Sequence, residues 1–217
     1  MKRGQVSALV QELRGRIPPW LFRFGQAYVF ELPRQMSARN RRPFSFPADY
    51  SARYATRNEL PAVAAMAGLG EAECSRRMDS GDKCFSVFHT SRLVNVAWIH
   101  FGPCYVRGVG YHHPGQKSDA YIYNILTDPA ERGKGLYKNA LLHLSDELFR
   151  SQADRLVQLV EPGNVPVLHT LPQLGYVHTA TISHVTLCGV KCTTVRNPKN
   201  KTIVRRIFRY PPDVFRI

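Results

Sequence analysis

The sequence lacks the features that mark a secreted or a membrane-spanning protein. Its five cysteines include no CxxC pair and no secretory leader precedes them, so we expect a reduced, cytoplasmic protein. The longest stretch without Asp, Glu, Lys or Arg runs from Pro162 to Val190. Pro166 and Pro172 interrupt this stretch, and a single helix across a lipid bilayer is not expected around them. The sequence therefore predicts no transmembrane segment.

Acidic residues are scarce at both ends of the chain. The whole sequence has 16 Asp and Glu against 30 Lys and Arg, a formal net charge of +14. Residues 1–50 hold three acidic and nine basic side chains, residues 51–190 hold twelve and thirteen, and residues 191–217 hold one and eight. The excess positive charge thus lies on the two ends. It favours acidic partners such as anionic lipid, RNA or an acidic carrier protein.

The first fifty residues differ from the rest and are assigned to a basic, aromatic-rich extension with a linker. Apolar residues at helical spacing predict an amphipathic helix over residues 5–16. Residues 20–30 mix aromatic side chains with arginine, which suits coverage of part of a domain core or, as an alternative, contact with a membrane interface. Residues 33–49 carry prolines and polar turn formers that are typical of a linker.

Residues 51–217 have the pattern of one mixed α/β domain. Hydrophobic residues make up 44% of the chain, which is enough to form a core and excludes wholesale disorder. Thr56 and Glu59 have the spacing of a capping box that opens a helix. The further predicted elements are a strand at 52–55, a helix at 71–79, a hairpin of strands at 83–89 and 93–101, a loop at 102–118, a strand at 120–127, a helix at 131–150, a strand at 155–160, a helix at 165–174, and strands at 176–190 and 202–210.

The segment from Thr127 to Tyr137 carries the strongest chemical signal. It joins a strand to a helix through two glycines and the basic residues Arg132 and Lys134. In such a turn several backbone N–H groups point at one spot at the positive end of the helix dipole, so an anion such as a phosphate group is expected there. The Walker spacing and the GxGxxG fingerprint are both missing, which argues against a P-loop and a dinucleotide-binding fold.

This segment closely resembles the acyl-CoA pyrophosphate loop of the GNAT acyltransferase superfamily, whose pattern is Arg/Gln-x-x-Gly-x-Gly/Ala. Arg132, Gly135 and Tyr137 occupy its three defined positions. Downstream, Asn164 is followed eleven residues later by Gly175, in a segment similar to the family's Asn…Leu-Gly-Phe. Two motifs at compatible spacing make the resemblance specific.

The resemblance covers residues 51–190 and implies a central mixed, mostly antiparallel twisted sheet, split by the acyl-CoA and flanked by helices. It also implies that acetyl-CoA or another acyl-CoA is the donor, without a metal, and that an acceptor amine attacks the thioester directly. The strand ending in Ile125, Leu126 and Thr127 would pair with the pantetheine arm, and Asn164 would touch that arm. The residues implied to hold the pyrophosphate are Arg132, Gly133, Lys134, Gly135, Leu136 and Tyr137.

Two departures from the family pattern affect the predicted site. Tyr137 stands where the family has Gly or Ala, so its ring must point away from the pyrophosphate. Leu171 stands where a tyrosine general acid is common, and His169 is a candidate replacement. The base that receives the amine proton must also come from this chain. Its candidates are Tyr121 and Tyr123 on one face of their strand, and His112 with His113 in the preceding loop.

The leading hypothesis is therefore an N-acyltransferase that acts on a small amine or an amino sugar. Tyr105, Arg107 and Tyr111 of the 102–118 loop are available for polar recognition of this acceptor. Two alternatives remain open. In one, an acyl carrier protein is the donor, which the basic ends favour electrostatically. In the other, the chain is an inactive GNAT-like binding module that is docked to a membrane or to RNA.

The basic ends also bear on location and partners. They are not needed for the chemistry, so docking to a carrier protein or to an anionic membrane surface is the preferred role, and nucleic acid ranks behind both. A cytoplasmic location follows, with a peripheral position at the inner face of the membrane as its variant.

Overall fold

A nine-stranded sheet runs through the residues that the structure, a computed structural model, describes: 22–37, 46–106, 109–188, 190–198 and 203–208. The strands are β1 (Phe22–Pro33), β2 (Tyr50–Tyr54), β3 (Lys83–His89), β4 (Arg92–Phe101), β5 (Cys104–Val106), β6 (Tyr111–His113), β7 (Asp119–Thr127), β8 (Arg155–Val160), β9 (Val177–Leu187), β10 (Val190–Arg196) and β11 (Ile203–Phe208). The helices are α1 (Arg34–Ser37), α2 (Leu60–Ala67), α3 (Glu71–Asp79), α4 (Leu136–Ser151) and α5 (Val165–Gln173), with 3-10 turns at Arg57–Glu59 and Pro129–Glu131.

The order of strands in the main sheet is β11-β10-β9-β1-β8-β7-β4-β3-β2, and β5 pairs with β6 in a separate hairpin. Every neighbouring pair in the main sheet is antiparallel except β7 and β8, which are parallel. The predicted mixed, mostly antiparallel sheet is thus confirmed. The predicted helix at 5–16, the middle of the linker and part of the turn at 197–200 lie outside the described residues.

The position of β1 differs from the predicted domain boundary. This strand lies between β8 and β9 in the sheet, and Tyr28 is opposite both Val160 and Thr181. Leu32 at its end is completely buried. Residues 22–33, which the sequence assigned to the extension, therefore belong to the folded domain. The preferred interpretation of the aromatic stretch, as cover for the core, agrees with this placement, although the pairing itself is long-range and leaves no local pattern to read.

Two layers of helices cover the sheet. On one face α4 and α5 pack on a core that includes Phe85, Ile99, Leu141, Leu144 and Leu171. On the other face α2, α3 and the β5–β6 hairpin cover a core that includes Val63, Cys74, Trp98, Cys104 and Val157. The predicted apolar stripe of α4 is confirmed, because its members are all buried: Leu136, Ala140, Leu141, Leu144 and Leu148.

A capping signal in the sequence marks the start of the first helical turn, at Thr56. The Glu59 carboxylate accepts hydrogen bonds from the backbone N–H of Thr56 at 2.7 Å and from its hydroxyl at 3.0 Å, as the capping-box spacing predicts. In contrast, α4 begins at Leu136 rather than at residue 131. The chain first forms the turn Pro129–Glu131, and Gly133 and Gly135 then both adopt φ +76°, so the helix cannot extend backward through them.

The last part of the sheet contains one more strand than predicted. The segment assigned to a single strand over 176–190 reverses direction near Cys188, which has φ +47°. It forms β9 and the beginning of β10 as an antiparallel pair in which Leu187 is opposite Val190. The sequence carries one local sign of this turn, Gly189, inside a run of residues that otherwise favour a strand.

Candidate active site

The parallel strands β7 and β8 separate after a short contact. They pair only over Asp119 to Tyr121 and Arg155 to Val157, and β8 then continues beside β1. No described strand pairs with the β8-facing edge of β7 beyond Tyr121, while its other edge stays paired with β4. The sheet is therefore split at Tyr121. This is the V-shaped opening that the family resemblance implies, and a strand-like ligand arm would find unpaired backbone groups there.

The free end of β7 is held from the β4 side. Asn124 has φ +46°, and the β4–β7 register shifts between Val96 and Trp98, which makes a bulge at this point. The buried Asn95 side chain donates to the carbonyl of Leu126 at 2.8 Å and contacts the Thr127 hydroxyl at 2.9 Å. Ile125, Leu126 and Thr127 are consequently fixed along one wall of the split, although their contact with pantetheine stays a prediction.

The glycine loop continues directly from this wall. Arg132, Gly133, Lys134 and Gly135 are all exposed. The first hydrogen bond at the start of α4 joins the Asn139 N–H to the Gly135 carbonyl at 3.0 Å. The N–H groups of Leu136, Tyr137 and Lys138 therefore point toward the loop at the positive end of the helix dipole. The arrangement suits a phosphate group, and its role in holding pyrophosphate stays a prediction.

A buried carboxylate anchors the loop. Glu131 is only 3% exposed, and it accepts hydrogen bonds from Tyr50 at 3.1 Å, from Arg92 at 2.9 Å and from Lys134 at 3.0 Å. The hydrogen bond from Lys134 is the main reason that the pKa of Glu131 is lowered. Lys134 thus shares its charge with Glu131, which leaves Arg132 as the loop's more available cation.

The ring of Tyr137 points into the domain and away from the glycine loop, as its size at this position requires. Its side chain packs against the core under α4, and its hydroxyl donates to Gln158 on β8 at 3.3 Å. Burial raises the pKa of this phenol well above its usual range. Because the ring points into the domain, the family's small residue at this position is not required to keep the loop open. Leu171 is completely buried in the same core and has no group that could act as an acid.

The two tyrosines proposed as bases are not suited to that role. The rings of Tyr121 and Tyr123 stack with their centroids 5.5 Å apart, and both are buried. Burial raises both pKa values far above the usual range, and the neighbouring Asp82, to which the Tyr123 hydroxyl donates, raises that of Tyr123 further. Both phenols stay protonated near neutral pH, whereas a base must be able to accept a proton. The raised pKa values argue against a role as base, which stays a prediction for both residues.

The three predicted histidines lie on β6 and on α5. His169 is exposed on α5, and His112 is half-buried on β6. His113 is 3% exposed, with its Nε2 4.0 Å from the nearer carboxylate oxygen of Asp119. Burial and the Arg155 guanidinium lower the pKa of His113 to about 4, against an opposing effect of Asp119. None of the three is among the described residues that line the cavity introduced below.

The lowered pKa of His113 predicts a pH-dependent stability. Its ordinary value is about 6.5, so between pH 6.5 and pH 4 the unfolded chain binds a proton that the folded chain does not. We expect the free energy of unfolding to fall by about 2 kcal/mol from pH 7 to pH 5 through this group. Urea denaturation at the two pH values measures it. The variant His113→Phe should lose this part of the slope and His112→Phe should keep it; equal slopes in both would contradict the assignment.

A cavity of about 550 Å³ opens beside the split. Tyr121 at the fork of the two strands lines it, as do Leu159 and the residues that follow β8. The 102–118 segment contributes Val106 and Val109, not the tyrosines predicted for polar recognition: Tyr105 is buried, because the segment folds into the β5–β6 hairpin. Arg107 lies outside the described residues.

Apart from Tyr121, the sequence analysis did not identify the polar side chains of this cavity. They are Gln26 on β1, Glu161 after β8 and His184 on β9. Gln26 fell in the segment assigned to the extension, and His184 is one polar residue among several along β9. The side-chain alternation of the β9 strand does place His184 and the core residue Ile182 on one face, but which face lines a cavity depends on β1.

A split sheet beside a glycine loop at a helix N-terminus is the arrangement that the family resemblance implies. The chain belongs to the acetyltransferase (GNAT) family, whose sequence model matches residues 52–176, more than half of the chain. This membership supports an acyl-transfer function. A search of curated proteins gives no match.

Solved structures share the fold at low sequence identity. A Drosophila protein matches with a TM-score of 0.56 and 14% identity over 86% of this chain and 58% of its own. A GNAT-family protein from Novosphingobium aromaticivorans matches with a TM-score of 0.54 and 13% identity, over 77% of this chain and 66% of its own. An acetyltransferase from the GNAT family from Colwellia psychrerythraea matches with a TM-score of 0.55 and 14% identity, over 75% of this chain and 55% of its own. The chain thus spans 55 to 66% of the length of these proteins.

Within the described ranges, no three His, Cys, Asp or Glu side chains are grouped so that they could hold a metal ion. No helix there has both the length and the apolar character needed to cross a membrane.

Proposed function

We propose that this protein is an N-acyltransferase that transfers an acetyl or another acyl group from acyl-CoA to the amine of a small molecule. The observation that carries the proposal is the separation of β7 from β8 after Tyr121, at the strand that leads into the glycine loop. The split offers unpaired backbone for a pantetheine arm, and the loop offers N–H groups and Arg132 for the diphosphate of the same molecule.

The chemistry requires little beyond positioning. In the proposed reaction the acceptor nitrogen attacks the thioester carbonyl, and backbone N–H groups on the free edge of β7 would polarise the carbonyl oxygen. The acceptor would approach through the cavity that borders the fork. Tyr121 connects the two parts, because it is the last paired residue of β7 and also lines the cavity.

Acetyl-CoA binding is the first test. Isothermal titration of the full chain should show saturable binding, and Arg132→Glu should weaken it at least about tenfold, because a cation that faces the diphosphate becomes an anion. The matched variant Arg150→Glu makes the same change of charge in the last turn of α4 and should keep the affinity. Equal losses in both variants would mean that net charge, not the loop, governs binding.

Thiol release then tests turnover. The protein is incubated with acetyl-CoA and a panel of amines and amino sugars, and free CoA is followed with a thiol reagent. Amine-dependent release is the expected result. Absence of both binding and release with acyl-CoA would overturn the proposal, and release only from an acyl carrier protein thioester would move the donor to a carrier protein.

A further inference from the structure

An exposed apolar patch lies at one end of the main sheet, on β9, on β10 and on the neighbouring part of β1. Six large hydrophobic side chains are exposed among the described residues, and four of them form this strand-end patch: Phe24, Val185, Leu187 and Val190. Leu187 is the most exposed of the four, at 58%. Single exposed apolar residues are common on protein surfaces, whereas a contiguous group marks an interaction surface.

The register of the strands makes these side chains neighbours. Phe24 lies opposite Val185 across β1 and β9, and Leu187 lies opposite Val190 across β9 and β10. Val185 and Leu187 are two positions apart on one strand, so they point to the same face of the sheet. Leu187 and Val190 flank the turn that begins at Cys188. The strand-end patch is therefore contiguous and reaches the tip of the β9–β10 hairpin.

The two faces of these strands differ in what covers them. The β5–β6 hairpin covers the face to which Ile182 and Thr193 point, and the Thr193 hydroxyl donates to the Gly110 carbonyl at 3.1 Å. The patch residues point to the opposite face, and none of them belongs to either buried core. Uncharged polar residues border the patch on this face, in one row across three strands: Gln26, Ser183 and Thr194.

The strands that carry the patch are rich in positive charge. No Asp or Glu occurs from Pro162 to Pro212, a stretch that includes β9, β10 and β11 and contains seven Lys and Arg residues. Residues 22–30 of β1 add Arg23 and no acidic residue. Glu161, which lines the cavity, precedes this stretch. An apolar patch on such strands suits an anionic lipid surface, since aliphatic groups enter the headgroup region and cations attract the phosphates.

Two other kinds of partner fit the patch less well. A second copy of the chain would bring the same excess of positive charge to the contact, and like charges repel. A helix of an acidic protein docks in an apolar groove. The strand-end patch instead places its most exposed side chain, Leu187, beside the turn of a hairpin. This position favours entry into a lipid interface.

We propose that the strand-end patch docks this protein on a membrane surface that contains anionic phospholipid, with Leu187 and Val190 in the headgroup region. Phe24 belongs to the patch and also lines the cavity beside the split. The docked orientation therefore holds this side of the cavity against the lipid surface. The docking needs no acyl-CoA, so it goes beyond the proposed function and is tested separately from it.

Co-sedimentation of the full chain with vesicles tests the docking. Phosphatidylcholine vesicles with about 30% phosphatidylserine should bind the protein at least about tenfold more tightly than phosphatidylcholine alone. Leu187→Gln should weaken this binding about fivefold or more, because an apolar side chain no longer enters the interface. Met36→Gln is the matched control, since Met36 is 52% exposed on α1, beyond the opposite end of β1, and it should bind as wild type does. Equal binding by the two variants would overturn the role of the patch.

A thiol label at the hairpin tip measures insertion directly. Cys188 is exposed, and in the Cys192→Ser variant it is the only thiol that is not buried, because the other three are: Cys74, Cys84 and Cys104. An environment-sensitive fluorophore on Cys188 should brighten and shift to the blue when anionic vesicles are added. The same label on Met36→Cys, in a chain with Cys188→Ser and Cys192→Ser, should keep its emission. Vesicle binding without a spectral change at Cys188 would mean that the basic ends alone hold the chain, and it would overturn the proposal.

The other two partners give different results. If a second copy covers the patch, light scattering shows a dimer that Leu187→Gln dissociates. If an acidic carrier protein covers it, that protein binds the wild-type chain and not Leu187→Gln, and anionic vesicles bind neither. Either result would overturn lipid docking. Because no acyl-CoA is present in these measurements, their failure leaves the proposed function intact, and a chain that ignores acetyl-CoA but inserts Cys188 into vesicles would overturn the proposed function alone.

Discussion

Replacing Gly135 by aspartate is expected to weaken acetyl-CoA binding by at least about 100-fold, which corresponds to about 2.7 kcal/mol. Gly135 is exposed and directly precedes α4, so a carboxylate there lies next to the N-terminal N–H groups that would hold the diphosphate. A carboxylate about 4 Å from a phosphate charge costs about 4 kcal/mol at an effective dielectric constant of 20. Isothermal titration with acetyl-CoA measures the loss.

Two controls separate this electrostatic effect from backbone strain. Asparagine has nearly the same shape as aspartate and tolerates the left-handed region, so Gly135→Asn should bind acetyl-CoA within about threefold of wild type. Gly68 ends α2 on the other face of the sheet with φ +63° and open space around it, and Gly68→Asp should leave binding unchanged. If Gly135→Asn and Gly135→Asp lose affinity equally, the loop's shape matters and its positive potential does not.

Asp82→Ala is expected to cause the largest loss of stability. This buried carboxylate accepts hydrogen bonds from the Tyr123 hydroxyl and from His100 Nδ1, the latter at 2.7 Å. Its removal leaves both donors buried without this acceptor, at a cost of about 3 kcal/mol in all. For a chain of 217 residues this lowers Tm by roughly 6 to 12 °C, which calorimetry measures.

Tyr123→Phe is the matched control for Asp82. It removes one donor and keeps the ring that stacks on Tyr121 and lies under the Arg77 guanidinium, 5.2 Å from the ring centre. Asp82 still accepts from His100, so we expect a loss of only about 1 kcal/mol. A Tm shift for Tyr123→Phe as large as that for Asp82→Ala would show that the phenol, and not the carboxylate, holds this cluster together.

Local patterns predicted much of the scaffold. Helix α3 and strand β8 have their predicted bounds, because each follows from the spacing of apolar residues and from nearby turn formers. The loop from Arg132 to Tyr137 lies between a strand and a helix as its glycines indicate. The family resemblance that this loop carries is confirmed by the match over residues 52–176.

Pairing between strands that are far apart in the sequence decided the rest of the fold. The sequence assigned residues 22–33 to an extension, because their place between β8 and β9 depends on partners more than a hundred positions away. The proposed bases show the same limit. Tyr121 and Tyr123 share a face, as the strand period requires, but only the packed structure shows that burial raises their pKa values and keeps them protonated.

The sequence by itself determined the family, the strand and helix around the glycine loop, and the concentration of positive charge at the two ends. These features depend on residues close together along the chain. The tertiary structure alone decided that β7 and β8 part at Tyr121, and that His184, Gly25 and Glu161 meet at one cavity beside this fork. They come from three separate parts of the chain, and the sheet brings them together only after β1 has paired with β9.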